Sequence, residues 1–255
     1  MTPGTVGEDG LLDHAIRLRQ PQEGYRAGSD AVLLAAAVPA QAGQQVLDAG
    51  AGVGAIGLCL AWRVPGVAVT GLERVTALAE LGNANARLNG LDARLQVICG
   101  EVERPPAAIR QARFDHVVCN PPFYEEGRAS PSPAGLKSLA HLEGEVPLAD
   151  WIAFCIRRTR PGGTVTLIHR AGRLAELLAG LGDGAGDVLV CPLWPTAGRP
   201  ARRVIVQARA QRRGPPTLLA GVVLHEADGG DTAAARALLR DGAALDLRAM
   251  ASPQP

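Results

Sequence analysis

Short apolar runs alternate along most of the chain with stretches whose apolar residues recur at helical spacing. QQVLDAG, VAVTGLE, RLQVICGE and FDHVVCN read as successive strands, each closing on an acid, a glycine or an asparagine. AIGLCLAWR and ALAELGNANARLNG, between them, read as helices, the second ending at Gly90 as a C-terminal cap. DWIAFCIRRTRPGG predicts an amphipathic helix closed by Pro161 and a Gly-Gly turn, followed by strand TVTLIHR and helix RLAELLAGL. DVLVCPLW and ARRVIVQARA predict a closing antiparallel hairpin. Strands alternating with helices imply an α/β fold with a doubly wound, mostly parallel sheet, helices on both faces and a mixed edge.

Outside this core, GYRAGSDAVLLAAAV reads as a loop, an N-cap at Ser29 or Asp30, and an apolar helix. DTAAARALLR predicts a late helix. The expected organisation is an N-terminal segment over 1–40 bordering the site, a core over 41–248, and a loose tail over 249–255.

Composition narrows the class. The chain of 255 residues is 47% hydrophobic but only 3% aromatic, so Ala, Val and Leu must fill the core. No run approaches the roughly 20 apolar residues a membrane helix needs, and the N-terminus lacks a secretory pattern. The five cysteines form no C-x-x-C pair, which points to reduced thiols in a cytoplasmic protein and against a disulfide frame or metal site. The net charge of +1 creates no global attraction to nucleic acid. The sequence does not choose between a monomer and a weak dimer.

The chemistry begins at VLDAGAGVGAIG, a strand–turn–helix glycine loop matching G-x-G-x-x-G through Gly52, Gly54 and Gly57. A pyrophosphate would seek the bare N–H groups there, yet Asp48 stands at the loop and repels an anion. A carboxylate in that place suits a ligand carrying a sulfonium or an ammonium. Glu73 ends the second core strand, where it can accept two hydrogen bonds from a ribose diol. Glu101 ends the third, within reach of an adenine amino group. Singly, each acid reads as an ordinary helix-start residue; the series favours a nucleoside site.

In that order, DAGAGVG, Glu73, Glu101 and NPPF resemble the S-adenosylmethionine-dependent methyltransferases with a seven-stranded doubly wound sheet. The resemblance covers about residues 24–245 and implies S-adenosyl-L-methionine as cofactor. It places Asp48, Ala49, Gly50, Gly52 and Gly54 around the methionine portion, Glu73 at the ribose, and Glu101 with the Val102 backbone N–H at the adenine. Aspartate is commoner than glutamate at the position of Glu101.

NPPF closes the fourth strand. Proline cannot continue a central strand. Here the corner instead offers acceptors: the side-chain oxygen of Asn120 and the carbonyl of Pro121, held rigid by Pro122, with Phe123 as a stacking face. Methyl transfer is an in-line displacement needing a lone pair at ~3–3.5 Å from the carbon. Two acceptors gripping a planar NH2 free that lone pair. In the family this corner marks methylation of adenine N6, guanine N2, cytosine N4 or a glutamine amide.

GYRAGSDAVLLAAAV, the loop after NPPFYEEG and VLHEADGG together resemble the bacterial tRNA methyltransferases that modify N6 of the adenosine beside the anticodon of a valine tRNA. This implies tRNA as partner and a Gly28-Ser29-Asp30 turn bordering the cofactor's amino-acid end, with Ser29 where Thr is common. Tyr124, Lys137, His141, Arg202 and Arg203 are the candidate substrate contacts. Arg203, Ile205, Gln207 and Arg209 share one strand face, which reads equally as RNA-contacting or simply solvated. Open alternatives are a guanine N2 or protein glutamine methyltransferase, a nicotinamide oxidoreductase using the G-x-G-x-x-G, and a non-catalytic RNA-binding module.

Overall fold

A computed structural model describes residues 5–24, 26–122 and 146–252. In chain order the strands and α-helices are β1 (Val6–Leu11), β2 (Ile16–Pro21), α1 (Ser29–Ala37), β3 (Gln45–Ala49), α2 (Ala55–Arg63), β4 (Ala68–Glu73), α3 (Thr76–Leu88), β5 (Leu95–Cys99), α4 (Ala107–Gln111) and β6 (Phe114–Cys119). There follow α5 (Leu148–Arg158), β7 (Thr159–Arg170), α6 (Leu174–Leu181), β8 (Ala185–Thr196), β9 (Arg203–Ala210), β10 (Thr217–Leu218), β11 (Val222–His225), α7 (Ala233–Leu239) and α8 (Leu247–Ala251).

The main sheet runs β10-β8-β9-β7-β6-β3-β4-β5, with β11 also on β8. Strands β5, β4, β3, β6 and β7 are parallel, and β9 is antiparallel to both β7 and β8. This is the doubly wound sheet with a closing antiparallel pair read from the sequence. The short β10 and β11, both parallel to β8, extend it beyond the expected seven strands.

Strand alternation sorts the core into two layers. Val46 and Val118 face helices α1–α3 on one side, alongside Leu34, Leu58 and Ala86. Leu47 and Val117 face α4–α6 on the other, with Ile109, Phe154 and Leu177. Burial of such apolar side chains, at roughly 25 cal/mol per Å² removed from water, is what holds helices on both faces.

Several expectations are corrected. Helix α1 has Gly28 at its N-cap position, with no side-chain cap, rather than Ser29 or Asp30. Pro161, Gly162 and Gly163 do not form a turn after α5: the chain enters β7 directly at Thr159, and these residues lie where the β6–β7 register shifts. A bulge is one of the few places a sheet accepts proline. Residues 6–21 form an antiparallel hairpin that the sequence reading passed over. The first residues of the expected loose tail, 249–251, belong to helix α8, capped by Asp246, whose Oδ1 accepts from the N–H groups of Arg248 and Ala249. Gly90 keeps its anticipated place, at φ +65° just past α3. No helix among the described residues is long and apolar enough to cross a membrane.

Candidate active site

Parallel register brings the strand ends together. Ala49 of β3 pairs with Leu72 of β4 on one side and Cys119 of β6 on the other. The glycine loop, Glu73 and Asn120 therefore leave the same edge of the sheet from adjacent strands, the place where open α/β sheets take ligands.

The loop's shape comes from its glycines. Gly50, Gly52 and Gly54 have φ of +79°, +54° and +84°, the left-handed region that side chains disfavour. A Cβ on Gly52 would meet nothing within 4 Å among the described residues, so this stretch of loop backbone borders open space. A Cβ on Gly50 would lie 3.1 Å from the ring of Trp151 on α5. Trp151 thus walls the loop, and its buried indole N–H has no hydrogen-bond partner among the described residues. The sequence reading missed it, because an aromatic on an amphipathic helix ordinarily marks core packing.

Glu73 is almost wholly buried and holds two loops at once. Its Oε2 accepts from Gly52 N–H at 2.8 Å and its Oε1 from Val75 N–H at 2.7 Å. Burial raises its pKa, opposed by these backbone donors. The Arg74 backbone N–H also acts on the carboxylate, which is thus held from the end of β4 as well as from the glycine loop.

Asp48 is the outlier. It is fully buried, and among the described residues neither carboxylate oxygen has a hydrogen-bond partner. Burial first, and Glu73 second, push its pKa up to about 7, while the Gly57 backbone N–H, which makes no hydrogen bond of good geometry to it, acts the other way. An orphaned buried carboxylate is costly unless a ligand supplies donors or positive charge.

Glu101 is exposed and turned toward Arg74, with Oε1 3.4 Å from Nε, while Val102 beside it is buried. Asn120 is partly buried directly beyond β6, followed by a buried Pro121 and a partly buried Pro122. Phe123, Tyr124, Lys137 and His141 lie outside the described residues. Gly28, Ser29 and Asp30 start α1, and Asp30 Oδ2 accepts from Arg203 Nε at 2.9 Å.

That pair corrects the reading of the β9 face. It is not an open arginine surface, because α1 lies across it. Gln207 is buried and donates to Ala37 O at 2.9 Å, Ile205 is fully buried, and Arg209 donates to Gly162 O at 3.1 Å. Arg202, on the neighbouring position, is exposed.

Comparison with known proteins gives the chain its class. The family model described as "Methyltransferase small domain" matches residues 26–134. A protein of Aeromonas hydrophila, named a tRNA1(Val) (adenine(37)-N6)-methyltransferase, is 30% identical over 207 residues, covering 80% of this chain and 84% of that protein. The chain belongs to the S-adenosylmethionine-dependent methyltransferases. A Porphyromonas gingivalis relative of the same name is 33% identical over 158 residues, and the match spans 61% of its length. A crystal structure of a predicted O-methyltransferase from Agrobacterium tumefaciens superposes with a TM-score of 0.70 at 28% identity, covering 85% of this chain and 98% of that one.

For such a methyltransferase the cofactor is S-adenosyl-L-methionine, and the nicotinamide alternative falls. The residues at the edge fit this group. Asp48 is a buried carboxylate lacking a counter-charge, Gly52 leaves backbone open to a ligand, and Glu73 is a carboxylate already fixed in place at the same edge. Among the described residues, no cluster of His, Cys, Asp and Glu is arranged to hold a metal ion.

Proposed function

We propose that the protein methylates N6 of an adenosine in the anticodon loop of a tRNA, acting in the cytoplasm. The observation that carries the methyl-transfer site is Asn120 leaving β6 beside the loop of β3, with Cys119 paired to Ala49. S-adenosylmethionine supplies an electrophilic methyl group on a sulfonium. Asp48 and the loop from Ala49 through Gly54 take its methionine end, with Gly28, Ser29 and Asp30 bordering it. Glu73 takes the ribose; Glu101 and the Val102 N–H take the adenine.

Asn120 Oδ1 and the Pro121 carbonyl then accept the two hydrogens of the target NH2. An exocyclic amine is a weak nucleophile because its lone pair is delocalised into the ring. Two fixed acceptors hold the nitrogen still and turn the lone pair toward the methyl carbon. Pro122 keeps the carbonyl's direction, and Phe123 offers a face for the base. A base in a folded anticodon loop must leave its stack to reach this corner. Tyr124, Lys137 and His141 would meet the entering nucleotide. Exposed Arg202 would meet phosphate, whereas Arg203 would meet it only through the edge of its pair with Asp30.

The names carried by relatives at about 30% identity support tRNA adenine as the target. The test is transfer of a labelled methyl group from S-adenosylmethionine to unmodified tRNA, followed by nucleoside digestion and mass spectrometry. N6-methyladenosine at a single anticodon-loop position is expected. Label in guanine N2, in a protein glutamine, or in nothing would overturn the assignment.

A further inference from the structure

Helix α3 touches the glycine loop and the N-terminal hairpin at one point, and a single side chain serves both. Gly82 lets the helix come close: a Cβ there would lie 2.9 Å from Val97 Cγ2 and 3.3 Å from the Val53 carbonyl carbon. Asn85 is three residues on and faces the same way. It is fully buried. Its Nδ2 donates to Val53 O at 3.0 Å and to Arg19 O at 2.8 Å, and its Oδ1 accepts from Arg19 N–H at 2.9 Å. Two carbonyls and one N–H leave the amide a single orientation.

Asn89, one turn further, repeats the hairpin half of this pattern. It accepts from Arg17 N–H at 2.9 Å and donates to Arg17 O at 2.8 Å. Arg17 and Arg19 are alternate residues on the edge of β2 away from β1, so the two asparagines stand in for a missing strand. The hairpin also holds the chain ahead of Gly28. Buried Gln20 accepts from Ala27 N–H at 2.8 Å and donates to Ala27 O at 3.2 Å.

We infer that Asn85 is a positioning residue of the methyl-donor site: by holding the Val53 carbonyl it sets the curve of the loop between Gly52 and Gly54 and couples that loop to the hairpin. Val53 sits between two left-handed glycines, where the backbone has the most freedom to relax. A carbonyl gripped by a buried, fully oriented amide removes that freedom before the ligand arrives, which lowers the ordering cost of binding. Asn89 grips the hairpin but not the loop, so it separates loop positioning from simple anchoring. The inference rests on the glycine loop being the donor cradle.

The experiment compares Asn85→Ala with Asn89→Ala in the full chain. Three quantities are read: affinity for S-adenosylhomocysteine by calorimetry, the melting midpoint without ligand, and amide hydrogen exchange at Gly52. Both variants are expected to melt earlier. Asn85→Ala alone should weaken S-adenosylhomocysteine binding about tenfold and speed exchange at Gly52, with Asn89→Ala within about twofold of wild type. Equal losses of affinity in the two variants, or none in Asn85→Ala, would overturn the inference. If Asn85→Ala does not fold, Asn85→Ser takes its place under the same criteria. Gly52→Val tests the underlying reading: wild-type affinity there would sink the cradle itself, whereas loss there with none at position 85 sinks only the role of Asn85.

Discussion

Strands β3 and β6 lie side by side, and their two ends treat polar groups in opposite ways. At the amino ends the polar side chains find partners within the chain. His116 donates from Nε2 to Gln44 Oε1 at 2.9 Å and accepts at Nδ1 from Thr164 Oγ1 at 2.8 Å. Asp115 accepts from Gln45 N–H at 2.8 Å and pairs with Arg160. At the carboxyl ends, a few residues along the same strands, Asp48 is buried with neither oxygen partnered among the described residues. One end is closed and serves the fold. The other keeps a buried carboxylate that protonation or a positively charged ligand would relieve, and it is where the chain departs from the ordinary rule that buried polar groups are satisfied.

The sharpest break in this comparison is Asn120→Ala. The change leaves the sheet register, Asp48 and Glu73 untouched and removes one of two proposed acceptors for the target amine. Turnover should fall by roughly 10³-fold, as when a preorganised hydrogen-bond acceptor or donor at a reacting centre is lost. Affinity for S-adenosylhomocysteine, measured by calorimetry, should stay within about threefold of wild type. Parallel loss of both would mean that Asn120 belongs to the cofactor pocket alone.

Much of this edge was legible in the sequence, because strands fully buried on both faces read as apolar runs and the acids at their ends interrupt them. Val46-Leu47 before Asp48 and Val117-Val118 before Asn120 are such runs. The sequence did not reveal how Glu73 is used: it clamps Gly52 and Val75 as well as pointing at the ligand edge. Alternation identified which β9 residues share a face but not what covers it. The cover, α1, comes from some 170 residues earlier in the chain, through contacts such as Gln207 to Ala37. The hairpin escaped notice for a local reason. IRLRQP alternates buried and exposed residues as a strand should and is gripped on its outer edge by Asn85 and Asn89, but its partner VGEDGL carries almost no apolar signal and is held by pairing. Trp151 was hidden because nothing in helix periodicity distinguishes an aromatic over a loop from one in the core.

Asp48→Asn should give the next largest effect. In the protein without ligand, Asp48 titrates near 7 against an ordinary value of 3.8. Its folded pKa is raised, so its contribution to stability is complete below about 3.8 and is lost as pH rises through about 7. Above that window the buried anion is a burden, and replacing it with a neutral amide should raise the melting midpoint of the ligand-free protein at pH 8. A cationic donor favours the ionised form, so binding near pH 6 must release a proton. Calorimetry in buffers of different ionisation enthalpy should detect that release in the wild type and not in the variant. The variant should also bind S-adenosylmethionine about tenfold more weakly at pH 8. Unchanged proton release would show that another group carries the titration.

The smallest effect on function, and the complementary one, belongs to the closed end. His116 has its pKa pressed down to about 4, chiefly by burial, against 6.5 when free. The unfolded chain binds the extra proton first, so the stability His116 contributes is complete above about 6.5 and is lost as pH falls through about 4. This is the reverse of Asp48 within an overlapping window. His116→Leu should cost about 1–2 kcal/mol at pH 7.5 in denaturant melts, because Gln44 and Thr164 lose their partner. It should also flatten the acid side of the stability profile. Affinity for S-adenosylhomocysteine should not change beyond about twofold, since the imidazole sits at the far end of β6 from Asn120. A large loss of affinity in His116→Leu would mean that the two ends of the sheet are coupled through the strands, and the division between a closed structural end and an open ligand end would not hold.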